Sequence, residues 1–120
     1  MKNTPPINTF KDLRVWQEGI ELVKVTYALC AKFPKEELYG LASQMKRAAV
    51  SIPSNIAEGH SRKSRAEYRQ FVYIAIGSLA ELETQLILAK ELEFLKEEEQ
   101  ATGKINLLRA MLVTLGNKLQ

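Results

Sequence analysis

Residues 48–68 read AAVSIPSNIAEGHSRKSRAEY, and this stretch decides how the chain is organised. Apolar residues recur at helical spacing on both sides of Pro53, so one helix is predicted to continue across it. Because proline lacks an N–H and its ring collides with the carbonyl four residues earlier, we expect this helix to bend. Gly59 is predicted to end it, since glycine accepts the left-handed conformation of a helix C-terminus. The loop that follows, residues 60–65, is crowded with arginine and lysine.

A third helix is predicted from Ser64 and Glu67, which have the spacing of a capping box. Its apolar stripe reaches to about Glu93 and makes this the longest helix. Residues 71–76 read FVYIAI, which is apolar on nearly every side, so this part is expected to be buried all round. The stripe includes Tyr68, Phe71, Ala75, Leu79 or Ser78, Leu82, Leu86 and Ala89.

The first helix is expected to begin at a weak capping box of Thr9 and Asp12 and to stop before Pro34. It carries two apolar stripes, of which the first is predicted to face the core. That main stripe consists of Leu13, Trp16, Ile20, Val23, Tyr27 and Cys30. The second, with residues seven apart, consists of Val15, Leu22 and Leu29.

The second helix is predicted to run from about Leu38 to Gly59, and the fourth to start after Thr102 and Gly103. The stripe of the second helix consists of Leu41, Met45, Ala48, Ile52 and Ile56. The stripe of the fourth consists of Ile105, Leu108, Leu112, Leu115 and Leu119.

These helices define an all-α fold. No segment shows the period-two alternation of a half-buried strand. Four helices with short connections predict an antiparallel up-down four-helix bundle, formed by residues 9–120 as a single domain. Residues 1–8 contain the Pro5–Pro6 pair and no periodicity, so we expect a flexible tail.

The composition indicates a soluble protein. Hydrophobic residues make up 46% of the chain and charged residues 26%. The longest apolar run, residues 71–76, is far shorter than a membrane span, and the N-terminus lacks the apolar core of a signal peptide. A cytoplasmic protein with no membrane contact is therefore expected.

Catalytic and metal-binding chemistry is not expected. The chain has one histidine, His60, and one cysteine, Cys30, too few for the usual structural zinc site or a di-metal bundle. Cys30 lies on a core stripe and resembles a small buried hydrophobe, while His60 belongs to the basic loop. No Gly-rich phosphate loop is present. We expect no cofactor, no metal and no enzymatic activity.

Charge is distributed unevenly along the chain. Six cations stand against two acids between residues 46 and 69, whereas seven acids stand against two lysines between residues 81 and 99. Mobile cations beside a helix N-terminus can bind phosphate, so the basic segment is a candidate site for nucleic acid. The alternative is a solvated loop in which Arg47 and Arg69 are held in ion pairs. The predicted nucleic-acid-binding residues are Lys46, Arg47, Arg62, Lys63, Arg65 and Arg69.

The apolar surface of the predicted helices exceeds what four helices can bury alone, which favours self-association. The alternative is a third helix placed centrally within an irregular monomer. The predicted interface residues are Val15, Leu22, Leu29, Val72 and Ile76.

Three runs of sequence carry a resemblance to a known family: FKDLRVWQEGIEL at 10–22, FPKEELYGLASQMKRAAVSIPSNIAEGHSRKSRAEY at 33–68 and IAIGSLAELETQL at 74–86. The chain resembles the small four-helix-bundle proteins encoded in intervening sequences of bacterial large-subunit ribosomal RNA genes, which are sometimes labelled ribosomal proteins. It is also similar to the accessory protein of diversity-generating retroelements, a basic pentamer associated with nucleic acid and a reverse transcriptase. The resemblance implies an up-down bundle and a ring-shaped homopentamer. It assigns nucleic-acid contacts to Arg47, Arg62, Lys63, Arg65 and Arg69.

Two functional hypotheses follow. The first is a non-enzymatic, oligomeric bundle that binds the backbone of RNA or DNA through the basic end of the second and third helices. The second is an assembly module that recruits a protein partner without nucleic acid.

Overall fold

The computed structural model describes residues 6–96 and 99–120, and these residues form an all-α protein. Its four helices are α1 (Arg14–Cys30), α2 (Leu41–His60), α3 (Arg65–Glu91) and α4 (Glu99–Lys118). Short 3₁₀ turns at Phe10–Asp12 and Lys35–Glu37 precede α1 and α2. The described residues contain no strand, so the predicted all-α class and the number of helices are confirmed.

The four helices surround one hydrophobic core. α1 packs against α2 and α4, and α3 packs against α2 and α4. Burying one large aliphatic side chain completely stabilises the folded state by about 1.5–3 kcal/mol. Such side chains come from every helix: Leu22, Met45, Ile52, Ile56, Leu79, Leu82, Ile105, Leu108 and Leu112 are among those fully buried.

The start of α1 differs from the prediction. Thr9 and Asp12 do form a capping box, but it caps the 3₁₀ turn, and extended backbone at Leu13 separates this turn from α1. The carboxylate of Asp12 accepts hydrogen bonds from the backbone N–H groups of Asn8 and Thr9, and these bonds lower its pKa. Of the predicted tail, residues 1–5 lie outside the described residues, and residues 6–8 are exposed.

The core-facing residues of α1 match the predicted stripe only in part: Cys30 is buried as expected, but Leu13, Trp16 and Val23 pack against the core without being buried. Val15, Gly19, Leu22, Thr26 and Cys30 are buried, whereas Trp16, Ile20 and Val23 of the predicted stripe are only partly buried and Tyr27 is exposed. The reason lies at Gly19, where a Cβ atom would lie 3.3 Å from Cβ of Pro53. The small residue lets α1 approach α2 closely, and this approach turns the second stripe inward.

Pro53 lies inside α2, which continues as a helix to His60. Polar neighbours bond to backbone carbonyls around it: Ser51 donates to the carbonyl of Ala48, and the Asn55 amide donates to the carbonyl of Ser51 over 2.7 Å. The prediction that Pro53 lies within one helix is confirmed. Its ring packs against Gly19 of α1.

Gly59 does not end α2 in a left-handed conformation, because no glycine among the described residues has a positive φ. It allows close packing instead. A Cβ atom at Gly59 would lie 2.7 Å from Cβ of Phe71 and 3.0 Å from Cδ1 of Tyr68. The glycine therefore brings the end of α2 against the first turns of α3.

α3 begins as predicted, with the side chain of Ser64 accepting a hydrogen bond from the N–H of Glu67 over 3.0 Å. It ends at Glu91, and Glu93 has a left-handed φ of 63°. The N–H of Phe94 donates a hydrogen bond to the carbonyl of Ala89, which is the 6→1 bond of a Schellman motif at a helix C-terminus. Further along, α4 starts at Glu99, so Thr102 and Gly103 lie inside the helix and not before it.

α3 is unusually apolar for its degree of burial. One 18-residue window has a mean hydropathy of 1.4, and by length and composition alone this helix could cross a membrane. Core helices of soluble proteins meet the same criterion. Only 33% of that window is buried within the single chain, and Tyr73 and Ile74 are exposed. The expectation that FVYIAI is buried all round is therefore wrong for one isolated copy.

Candidate functional site

The connection between α2 and α3 presents the basic loop. Arg62 is held against the end of α2 by a 2.8 Å ion pair with Glu58, and its guanidinium lies 4.9 Å from the ring centre of Phe71. Lys63 is exposed. Among the described residues, no hydrogen bond or ion pair involves the Lys63 side chain.

Arg65 connects this loop to the far end of the chain. Its guanidinium donates a hydrogen bond to the carbonyl of Lys118, in the last turn of α4. Lys118 in turn lines a groove between α1 and α4 together with Arg14. On the other side, Trp16 of α1 and Ala57 of α2 line a common groove. The start of α1, the α2–α3 connection and the end of α4 therefore meet at one end of the molecule.

We call this region the basic end, and it consists of Lys11, Arg14, Arg62, Lys63, Arg65, Arg69 and Lys118. Four acids lie on the same short segments: Asp12, Glu18, Glu58 and Glu67. Two of them contact cations, because Glu58 pairs with Arg62 and Glu18 lies 3.9 Å from the largely exposed Arg14. Cations therefore outnumber acids, seven to four, and the excess positive charge faces solvent.

The N-terminus of α3 contributes to the same surface. The first N–H groups of a helix have no partner within the helix, and they carry part of the positive end of its dipole. Ser64 satisfies one of them by accepting from Glu67. The N–H groups of Arg65 and Ala66 precede Glu67, beside Lys63 and the Arg65 side chain. Backbone donors and flexible cations together suit an oxyanion such as phosphate.

Lys46 and Arg47 do not lie at the basic end. Arg47 lies thirteen positions before His60 on the same helix, so the rise of an α-helix places them about 20 Å apart. The Lys46 ammonium lies 4.9 Å from the ring centre of Tyr27. Both cations line a groove of about 900 Å³. The six predicted contact residues therefore form two groups, not one.

The predicted interface residues lie mostly inside the chain. Val15, Leu22 and Val72 belong to its own core, while Leu29 and Ile76 are partly buried against it. Whether these five contact another copy stays a prediction, but Leu22 and Val72 have no exposed surface in this fold and Val15 is only 7% exposed. The large exposed apolar side chains are different residues, which include Tyr39, Tyr73, Ile74, Ile87, Leu88 and Leu92.

The single histidine and cysteine occupy structural positions. The ring of His60 meets Tyr68 edge-on, with centroids 5.8 Å apart. Cys30 is buried, and its thiol donates to the carbonyl of Ala42 over 3.7 Å. Burial raises the pKa of this thiol, partly offset by the charge of Lys46. The described residues contain no group of three or more histidine, cysteine or carboxylate side chains placed to hold a metal ion.

Sequence reasoning missed Lys11, Arg14 and Lys118, which lie far from the basic loop in the sequence. One signal could have found them. In the predicted up-down arrangement, the start of the first helix and the end of the fourth lie beside the connection of the second and third. Basic residues at both termini are therefore expected to extend a basic loop in the middle.

The fold and this end define a small, all-α protein with a concentrated positive surface. The family model of the 23S rRNA-intervening sequence proteins matches residues 11–114, from the 3₁₀ turn before α1 to the last third of α4. The chain belongs to this family. No individual curated protein matches it.

Proposed function

We propose that the protein is a non-enzymatic, cytoplasmic protein that binds the phosphate backbone of RNA or DNA through its basic end. One observation carries the proposal: the hydrogen bond from Arg65 to the carbonyl of Lys118, which joins the basic loop to the end of α4. Cations that are distant in the sequence thereby share one surface, and such a surface attracts polyanions. Phosphate contacts position a protein on nucleic acid and carry no sequence information.

The proposal also includes the direction of the helices, which run antiparallel in up-down order. Contacts between helix ends support this arrangement. The end of α1 meets the start of α2 through Cys30 and Ala42, and the end of α2 meets the start of α3 through Gly59 and Phe71. Gly116, near the end of α4, packs beside Tyr73 in the first half of α3.

The proposal includes assembly into a ring-shaped homo-oligomer. It is supported by the large apolar side chains that remain exposed along α3 and by a groove of exposed apolar residues between α1 and α2. Monomeric proteins rarely expose extended apolar patches. A ring formed through the sides of the helices would place all basic ends on the same rim, where several could engage one nucleic acid together.

A titration with labelled structured RNA and labelled duplex DNA, at low and at high salt, tests the nucleic-acid function. The variant combines Arg62→Ala, Lys63→Ala and Arg65→Ala. We expect it to bind at least about tenfold more weakly at low salt, because it loses cations that contact phosphate. Each lost phosphate contact should also lower the slope of affinity against salt by about one. Thermal melts check that the variant remains folded.

The matched control combines Lys32→Ala, Lys35→Ala and Lys96→Ala, which remove the same charge from exposed positions at the other end of the molecule. It is expected to bind as tightly as the wild type. Failure of the wild type to bind at low salt would contradict the proposal. An equal loss in both variants would show that only net charge matters, and would contradict the role of the basic end.

A further inference from the structure

We infer that the groove between α1 and α2 of one copy receives the outward face of α3 of a second copy. The inference rests on the assembly proposed above, and it identifies the two surfaces that meet. The groove has two parts that share Val50: one of about 900 Å³ near Tyr27 and Tyr39, and one of about 280 Å³ near Trp16 and Ala57. It therefore follows most of the length of α2.

Four residues of the stripe that the sequence predicts as the core of α1 line this groove. Trp16, Ile20, Val23 and Tyr27 recur at helical spacing and remain only partly covered. Tyr39, at the rim, is 91% exposed. Regular apolar positions left open along a groove are the pattern that accepts another helix.

The charge of the groove is positive. Lys46 and Arg47 line it, and no carboxylate is among its described lining residues. Within the described part of the chain, neither cation forms an ion pair. The helix that fills this groove should therefore present apolar side chains together with acids.

The outward face of α3 has that composition. Ile74, Gly77, Glu81, Thr84, Leu88 and Leu92 lie three or four residues apart, and all are exposed. Leu88 is 45% and Leu92 56% exposed. Glu81 supplies negative charge to this face, and the exposed Glu91 lies nearby. Lys90 adds one positive charge to the same C-terminal half of α3. This face carries apolar residues that one copy leaves uncovered on the helix that has an 18-residue window of mean hydropathy 1.4.

The positive groove and the acidic α3 face are complementary in charge, whereas two copies of either surface are not. A groove-to-groove contact would bring Lys46 and Arg47 of both copies together, and a contact between two α3 faces would bring acids together. Such like-charge contacts are unfavourable across an interface. Every copy carries both surfaces on different helices, so the contact is heterologous. Repetition of a heterologous contact closes a ring when the rotation permits.

Two single substitutions test this pairing. Val50→Glu places an acid in the groove, and Leu88→Glu replaces apolar surface on the α3 face with charge. Val50 is 40% and Leu88 45% exposed, so both variants are expected to keep the fold. Leu107→Glu, at a position on α4 that is 41% exposed and outside both surfaces, is the matched control.

The mass of each sample in solution is measured by light scattering, and thermal melts verify folding. We expect the wild type and Leu107→Glu to have a mass more than twice the monomer mass of 13.6 kDa. Each of the other variants alone should be a monomer. An equimolar mixture of the two should form a dimer, because one variant retains an intact face and the other an intact groove.

A mixture that stays monomeric while the wild type assembles would overturn the pairing and leave the proposed ring intact. The same holds if Val50→Glu or Leu88→Glu alone keeps the mass of the wild type. A monomeric wild type would overturn the proposed assembly, and this inference with it. None of these outcomes depends on nucleic acid, so the function of the basic end is tested separately.

Discussion

The two ends of this molecule use charge in different ways. At the basic end, arginines and lysines from three separate segments come together, and Arg65 bonds to the carbonyl of Lys118. At the opposite end, Phe33 and Phe94 pack with ring centres 5.6 Å apart, and Leu95 is buried. Charges of both signs occur there, since Lys32, Lys35 and Lys96 accompany many glutamates. Helices with similar cores can therefore end in one surface suited to polyanions and one that is not.

Close helix packing gives the largest expected difference between the two ends. Gly59→Ala places a methyl group 2.7 Å from Cβ of Phe71, an atom that can move only with the α3 backbone. We expect the free energy of unfolding to fall by about 1–3 kcal/mol, the usual cost of overpacking. Urea denaturation measures it.

Gly103→Ala is the comparison near the other end, because a Cβ atom there meets nothing within 4 Å. Alanine forms helices better than glycine, so we expect a gain of up to about 1 kcal/mol. If both substitutions stabilised the protein equally, close packing at Gly59 would not be the reason for its glycine.

The cap of α3 gives the next largest effect. Ser64→Ala removes the hydroxyl that accepts from the N–H of Glu67, and the free energy of unfolding should fall by about 1 kcal/mol. Ser64→Asp keeps an acceptor and should recover most of this stability. Thermal or urea unfolding of both variants decides the point. Equal losses would indicate that the hydroxyl has a role other than capping.

Removal of an acid from the basic end should have the smallest effect. Glu58→Gln breaks the exposed ion pair with Arg62 and should change stability by less than about 1 kcal/mol. It also removes a negative charge from the proposed phosphate surface, so affinity for RNA at low salt should rise modestly. Glu36→Gln, an exposed position at the opposite end, makes the same charge change and should leave affinity unaltered. The same rise in both variants would contradict a local effect.

The sequence predicts most of the fold because α2, α3 and α4 each have an apolar stripe at helical spacing that reaches the core. Met45, Ile52 and Ile56 of α2 are buried as expected, as are Leu82 of α3 and Leu108 of α4. Ser64 could be recognised because its cap depends only on residues three positions apart. Local chemistry of this kind is readable without tertiary structure.

The errors occur where tertiary packing decides between local alternatives. α1 has two apolar stripes, and hydrophobicity favours the one with Trp16 and Tyr27. The close approach of Gly19 to Pro53 selects the other. Close helix packing also explains Gly59. The sequence predicts that this glycine ends α2, but in the structure it allows α2 to pack closely against α3.

The candidate site was predicted in part. The basic loop is visible as a local excess of arginine and lysine, but the separation of Arg47 from it along α2 is a consequence of helix length. The contribution of Lys118 depends on the position of the end of α4, which lies beside the connection between α2 and α3. Only the three-dimensional arrangement joins these segments.

Lysine-modification footprinting, with and without excess structured RNA at low salt, tests the central claim most directly, because it compares the two ends within one molecule. Exposed lysines are available at both: Lys63 and Lys118 at the basic end, Lys35 and Lys96 at the other. We predict that RNA slows acetylation of Lys63 and Lys118 and leaves Lys35 and Lys96 unchanged. Protection of Lys35 and Lys96 instead, or equal protection at both ends, would contradict binding through the basic end.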